Sequence, residues 1–176
     1  VAFIIAFFTY KTKSLTLGGA ITALIIIFTS YYFGNWFTLI YLVFAYFAVA
    51  IIEKTLKSRI QKHTESINKK SSARDSVQVA VNGGAAAICI VAYALTNQKA
   101  FFICFMVGIG EAIADSVASD IGILSHKNPV NILTFKRMEK GMSGGISFLG
   151  TASALFACIL FGMIYFFYEL DLKGCI

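Results

Sequence analysis

Three carboxylates, Glu111, Asp115 and Asp120, close an apolar run that begins at Ala100. A charge at bilayer depth costs about 2.5 to 3.5 kcal/mol on insertion scales, so a membrane segment that keeps several marks a functional site by default. On a helix, Glu111, Asp115 and Ser119 are four apart and share a face, with Ser116 and Asp120 in the adjacent row. Near-neighbour carboxylates repel unless they are protonated, paired with Lys or Arg, or bridged by a cation. A hard divalent ion with oxygen ligands suits them best. The competing reading is a carboxylate neutralised by Arg74 for packing alone.

Two more polar rows have the same spacing. Arg74, Gln78 and Asn82 form a stripe that descends from the start of the apolar run Val77–Leu95, and Gly83, Gly84 and Ala85–Ala87 thin the helix where a neighbour or a ligand can come close. Hydrogen bonding between helices would explain Gln78 and Asn82 without any ligand. The third row is Ser143, Ser147 and Thr151, at the opening of the last apolar run, Ile146–Phe167. It overlaps the cluster Gly141, Ser143, Gly144 and Gly145. Glycines at a helix start expose backbone N–H groups and the positive end of the dipole, which suits phosphate. Helix-packing glycines are common in membranes, so the cluster alone is a weak signal. No Ser/His/Asp arrangement competes, because His63 and His126 lie in loops without a partnered nucleophile. Cys89, Cys104, Cys158 and Cys175 show no paired spacing, so neither a metal site nor a disulfide framework is indicated.

The elements that must position these groups are membrane spans. The chain has 176 residues, 58% of them hydrophobic and 15% aromatic, with one proline and a mean hydropathy of +0.77. That is too apolar for an ordinary water-soluble domain of this size. The apolar segments are continuous, not short and alternating, which predicts an all-α polytopic transmembrane bundle and not a barrel. About six spans are expected: Val1–Tyr10, too short to cross alone and so the end of a span, then Leu15–Phe33, Trp36–Ile52, Val77–Leu95, Ala100–Leu124 and Ile146–Phe167. Residues 1–176 are expected to form a single transmembrane helical domain. No signal peptide is expected.

Loop charge gives an orientation. Residues 53–75 hold seven basic and three acidic residues, and residues 125–140 hold Lys127, Lys136, Arg137 and Lys140 against Glu139. With Lys11 and Lys13 on the same side, every Lys and Arg except Lys99 and Lys173 falls on one face. The positive-inside rule makes that face cytoplasmic. The three polar rows then converge in the cytoplasmic half of the bundle, ringed by Lys136, Arg137 and Lys140. This describes a pocket for an anionic, metal-bound phosphate compound from the cytosol, meeting a lipid substrate from the side. A different class, an ion-coupled transporter or carrier of an anionic substrate, also uses intramembrane carboxylates and glycine-broken helices. Against it stand the absence of an internal repeat and the gathering of polar residues toward one face.

RDSVQVAVNGG, ADSVASDIG and FKRMEKGMSGGISFLGT, in this order and on these spans, resemble the integral-membrane family that includes plant phytyl-phosphate kinase. More loosely, an acid-small-small-Gly helix followed by a basic loop and Lys-x-Gly-x-x-Gly is similar to CTP-dependent dolichol and phytol kinases and to CDP-diacylglycerol synthases. The likeness is dense from Arg74 to Thr151 and rests on hydropathy before that. Departures are Val117 where an aromatic is expected, Asp120 where a Glu is expected, and Met142 in place of Thr. The resemblance implies transfer of a phosphoryl group from a nucleoside triphosphate, with CTP favoured, to a prenyl phosphate or related isoprenoid lipid, with Mg²⁺ as cofactor. It implies that Asp115 holds Mg²⁺, assisted by Asp120 or Glu111. Lys136, Lys140, Gly141 and the N–H groups of Ser143, Gly144 and Gly145 would hold the triphosphate. Arg74, Gln78, Asn82 and Ser119 would bind the acceptor phosphate or orient the carboxylates. The expected partners are the nucleotide, the isoprenoid lipid phosphate and membrane lipid; a homodimer stays open, and nucleic acid is not expected.

Overall fold

A computed structural model describes residues 15–64, 74–142 and 144–174. Its elements are α1 (Leu17–Phe33), α2 (Trp36–Thr64), α3 (Ser76–Thr96), α4 (Lys99–Gly122), β1 (Val130–Asn131), β2 (Gly145–Ile146) and α5 (Phe148–Gly174). Stretches of α2, α3, α4 and α5 are long and apolar enough to cross a membrane, and α1 is a shorter apolar helix. The described residues therefore hold about five spans, not six; the expected first one, Val1–Tyr10, lies outside them. Among the described residues the bundle is helical apart from one two-stranded ribbon.

Local chemistry sets the helix ends. Thr16 caps α1 by accepting from the Gly19 N–H at 3.1 Å. Asp75 caps α3 through a reciprocal capping box, in which its carboxylate accepts from the Gln78 N–H and the Gln78 side chain accepts from the Asp75 N–H. Asn97, with φ of 54°, ends α3 in the left-handed conformation that Asn tolerates. Between α1 and α2, Asn35 and Thr38 satisfy each other's backbone N–H groups, and the Thr38 hydroxyl donates to the Ser30 carbonyl at 2.8 Å. The α2 helix continues through the first part of the basic segment to Thr64.

The chain divides into two compact units. The first covers residues 1–45 and 70–112. In it α1 packs on α3. Their starts lie side by side: Leu15 and Arg74 form a parallel bridge, and the Thr16 N–H donates to the Arg74 carbonyl at 3.0 Å. Gly19 makes this approach work, since a Cβ there would stand 2.5 Å from the Arg74 oxygen. Further along, Gly83 meets Ile26 and Gly108 meets Ala86. The Tyr41 hydroxyl, on a buried residue, donates to the Met106 carbonyl at 3.1 Å. Small residues at these crossings follow from packing in lipid, where close backbone approach replaces the hydrophobic drive. Ile25, Phe28, Ile40, Val81 and Ile88 point outward, as the lipid-facing side of a bundle requires.

The second unit covers residues 46–69 and 113–176. Val49, Ile113, Ala114, Val117, Ala157 and Phe161 are buried in it. It also contains the ribbon, in which Val130 pairs with Ile146 and Asn131 with Gly145.

Candidate functional site

The end of α4 and the start of α5 meet with almost no side chain between them. A Cβ on Gly150 would lie 2.9 Å from the Ala118 carbonyl and 3.2 Å from the Gly122 Cα. Ser147 locks the junction: its Oγ donates to the Gly122 carbonyl at 3.2 Å and accepts from the Gly150 N–H at 3.1 Å. Ser147 thus caps α5, which begins at Phe148. The expectation that the glycine cluster itself opens the last helix is therefore corrected. Gly145 belongs to β2 instead, packed against Pro129 and Met138, and Gly144 precedes it with φ of +83°. Ser143 lies outside the described residues. The Ser143, Ser147, Thr151 row is likewise not one helical stripe, since Ser147 precedes the first turn.

Beside this junction is a cleft of about 350 Å³, built wholly within the second unit. Asp115, Ser119 and Gly122 of α4 line one wall. Lys140, Gly141, Met142, Gly145 and Ile146 line another, and Ser147, Gly150 and Thr151 lie along the start of α5. Gly141 has φ of +88°, a backbone that a residue with a Cβ adopts only with strain. The cleft thus brings together Asp115, Ser119, Lys140, Gly141 and Gly145 of the residues that sequence reasoning selected. Lys136 is exposed on the β1–β2 connection, where its carbonyl accepts from the Asn131 N–H, and it is not among the lining residues.

The remaining selected residues are not among those lining the cleft. Arg74, Gln78, Asn82 and Glu111 belong to the first unit. There Gln78 is engaged in the α3 capping box, and Asn82 and Glu111 are exposed. Asp120 is half-buried on α4, with its Oδ2 shut off from solvent. Among the described residues no three His, Cys, Asp or Glu side chains gather closely enough to hold a metal ion. Asp115 is the one carboxylate lining the cleft. That donor set fits Mg²⁺ in its common form, bound by one or two carboxylates together with substrate phosphates, and not a protein-only cage.

Sequence reasoning missed Pro129, Gly122 and Gly150. The glycine pair had a signal, a small residue at each end of a helix junction. Pro129 enters the site through the ribbon, which is too short to show a periodicity.

The integral membrane protein family DUF92 matches residues 1–175. Two curated proteins are similar over nearly the whole chain. "Protein PGR" of Arabidopsis thaliana is 28% identical over 98% of this chain and 64% of its own length. "Uncharacterized membrane protein MJ0933" of Methanocaldococcus jannaschii is 26% identical over 97% of this chain and 69% of its own. The chain therefore spans just under two thirds of the plant relative. No solved structure matches it.

Proposed function

Starting from a chain that belongs to the integral membrane protein family DUF92, we propose that it is a membrane-embedded phosphotransferase. It moves a phosphoryl group from a nucleoside triphosphate, with CTP favoured, to a prenyl phosphate or related isoprenoid lipid. The observation that carries this reading is the cleft itself. A carboxylate, Asp115, and an ammonium, Lys140, line it together with the left-handed backbone of Gly141, all within one compact unit. Phosphoryl transfer asks a protein for positioning and charge neutralisation more than for covalent help.

In this reading Lys140 holds the β- and γ-phosphates by charge, and Gly141, which carries no Cβ, lets its backbone N–H approach them. Ser119 and Thr151 offer hydroxyls to the acceptor phosphate. Asp115 holds Mg²⁺, which supplies neutralisation of the phosphate oxygens when bound. The acceptor's phosphate oxygen bonds to the γ-phosphorus while the bond to the β–γ bridging oxygen breaks, and the nucleoside diphosphate leaves with the electron pair. The basic segments and the cleft face the cytoplasm, where the nucleotide is.

The test is a radiolabel transfer assay on purified protein, crossing γ-labelled CTP, ATP and UTP with short prenyl monophosphates and prenols. Label in the lipid product is the expected result. No transfer with any pair, together with uptake of an anionic solute into proteoliposomes, would replace the kinase by the carrier.

A further inference from the structure

We infer that the tip of the β1–β2 connection is a lipid-interface anchor. Ile132, Leu133 and Phe135 sit at the boundary between headgroups and acyl chains of the chain's own bilayer, with Lys136 and Arg137 on anionic lipid phosphates. Leu133 is 85% exposed, Phe135 80% and Ile132 53%. Three large apolar side chains on one short turn are a contiguous patch, not the scattered exposure that any surface shows.

The tip is held in shape. The Asn131 Oδ1 accepts from the N–H groups of Leu133 and Thr134 at 2.9 and 3.0 Å, and the Phe135 N–H donates to the Asn131 carbonyl at 2.9 Å. Phe135 has φ of +55°, an uncommon conformation for a bulky residue. Such outliers persist where the surroundings over-determine them, and they cluster at sites that use them.

Two observations select lipid as the occupant. The first is continuity, because the connection joins α4 to α5, both long and apolar enough to span, and so it runs along the membrane surface. Phe148, 90% exposed, extends the apolar character into the first turn of α5. The second is charge. Lys136 and Arg137 follow the tip directly and are exposed, as is Lys127. Aromatic and aliphatic tips with basic flanks suit an anionic interface. A second copy related by a two-fold axis would bring like basic flanks together. The base of the same ribbon, at Pro129, Gly145 and Ile146, lines the cleft. Anchoring the tip therefore sets the cleft mouth at headgroup depth. This inference stands apart from the phosphotransfer reading, since its test measures depth and not turnover.

The test uses the full chain in liposomes. Trp36→Phe removes the single tryptophan, and Phe135→Trp or, separately, Leu133→Trp reports on the tip. The bilayers are phosphatidylcholine alone or mixed with phosphatidylglycerol, with bromines placed shallow or deep on the acyl chains. The expected result is blue-shifted emission at both positions, quenched more by shallow than by deep bromines. Quenching should be stronger with phosphatidylglycerol, and Arg137→Gln should remove that excess. Emission of a water-exposed indole, quenched by iodide and not by brominated lipid at both positions, overturns the anchor. A blue shift without brominated-lipid quenching, lost as protein is diluted in the bilayer, overturns it in favour of a second copy. Equal quenching in both bilayers overturns the role of Lys136 and Arg137.

Discussion

An asparagine at position 115 keeps the size of the aspartate and removes its charge from the cleft. Asp115→Asn is expected to lower phosphoryl transfer by about a hundredfold or more, the scale of losing one electrostatic contact to a transition state, with thermal unfolding in detergent unchanged. Near-normal turnover would remove Asp115 from the reaction. Lysines 136 and 140 make a paired test. Lys140→Ala should raise the apparent nucleotide KM about tenfold, equivalent to about 1.4 kcal/mol of binding, and Lys136→Ala should change it far less. Steady-state kinetics with both variants would reverse the assignment if Lys136 proved the costlier loss. The sequence brought both lysines forward with equal weight, since both belong to one basic run. What separates them is the turn at Asn131, whose carbonyl and carboxamide oxygens hold the connection on which Lys136 lies exposed, outside the cleft lining. By contrast the common helix face of Asp115 and Ser119 was legible, because a four-residue spacing is a property of sequence.

At the scale of elements, the junction of α4 and α5 and the loop before it use glycine for different ends. Gly150 is needed for packing: a Cβ there meets the Ala118 carbonyl, a backbone atom that cannot swing aside. Gly150→Ala should cost about 1 to 3 kcal/mol of stability, the scale of overpacking, and should shift thermal unfolding equally with and without Mg·CTP. Gly141 is needed for shape at the cleft. Gly141→Ala should abolish the upward shift in unfolding temperature that Mg·CTP gives the wild type. A full shift retained in that variant would return Gly141 to the role of a simple turn. Helix starts were readable to within a few residues, because long apolar runs show themselves, whereas α2 runs on from Ile52 to Thr64 and α5 from Phe167 to Gly174, past the ends of their apolar runs. What fixes the start of α5 was not, since the glycines precede it while Ser147, with an acceptor a whole loop away in Gly122, sets the boundary. The ribbon was also invisible. Two residues per strand carry no alternation, and their pairing, Val130 with Ile146 and Asn131 with Gly145, joins residues far apart in sequence.

At the scale of the molecule, sidedness follows from where the lysines and arginines lie. In a background lacking the native cysteines, Lys127→Cys should react with an impermeant maleimide from the cytoplasmic side only; labelling from the opposite side alone would invert the bundle. The membrane class and the all-helical bundle were legible in composition, as a property of averages. The division into two units was not, because it depends on which helices touch. One of those contacts bears on biogenesis. The α1 helix is short for a span, and it packs on α3, to which it is tied through Thr16 and Arg74 with the whole of α2 synthesised in between. While α2 is leaving the ribosome, α1, at the lower limit of length for a span, still lacks the neighbour that covers Gly19. Its packing is thus completed only once α3 has emerged, so this earliest described helix is among the later parts of the fold to be secured.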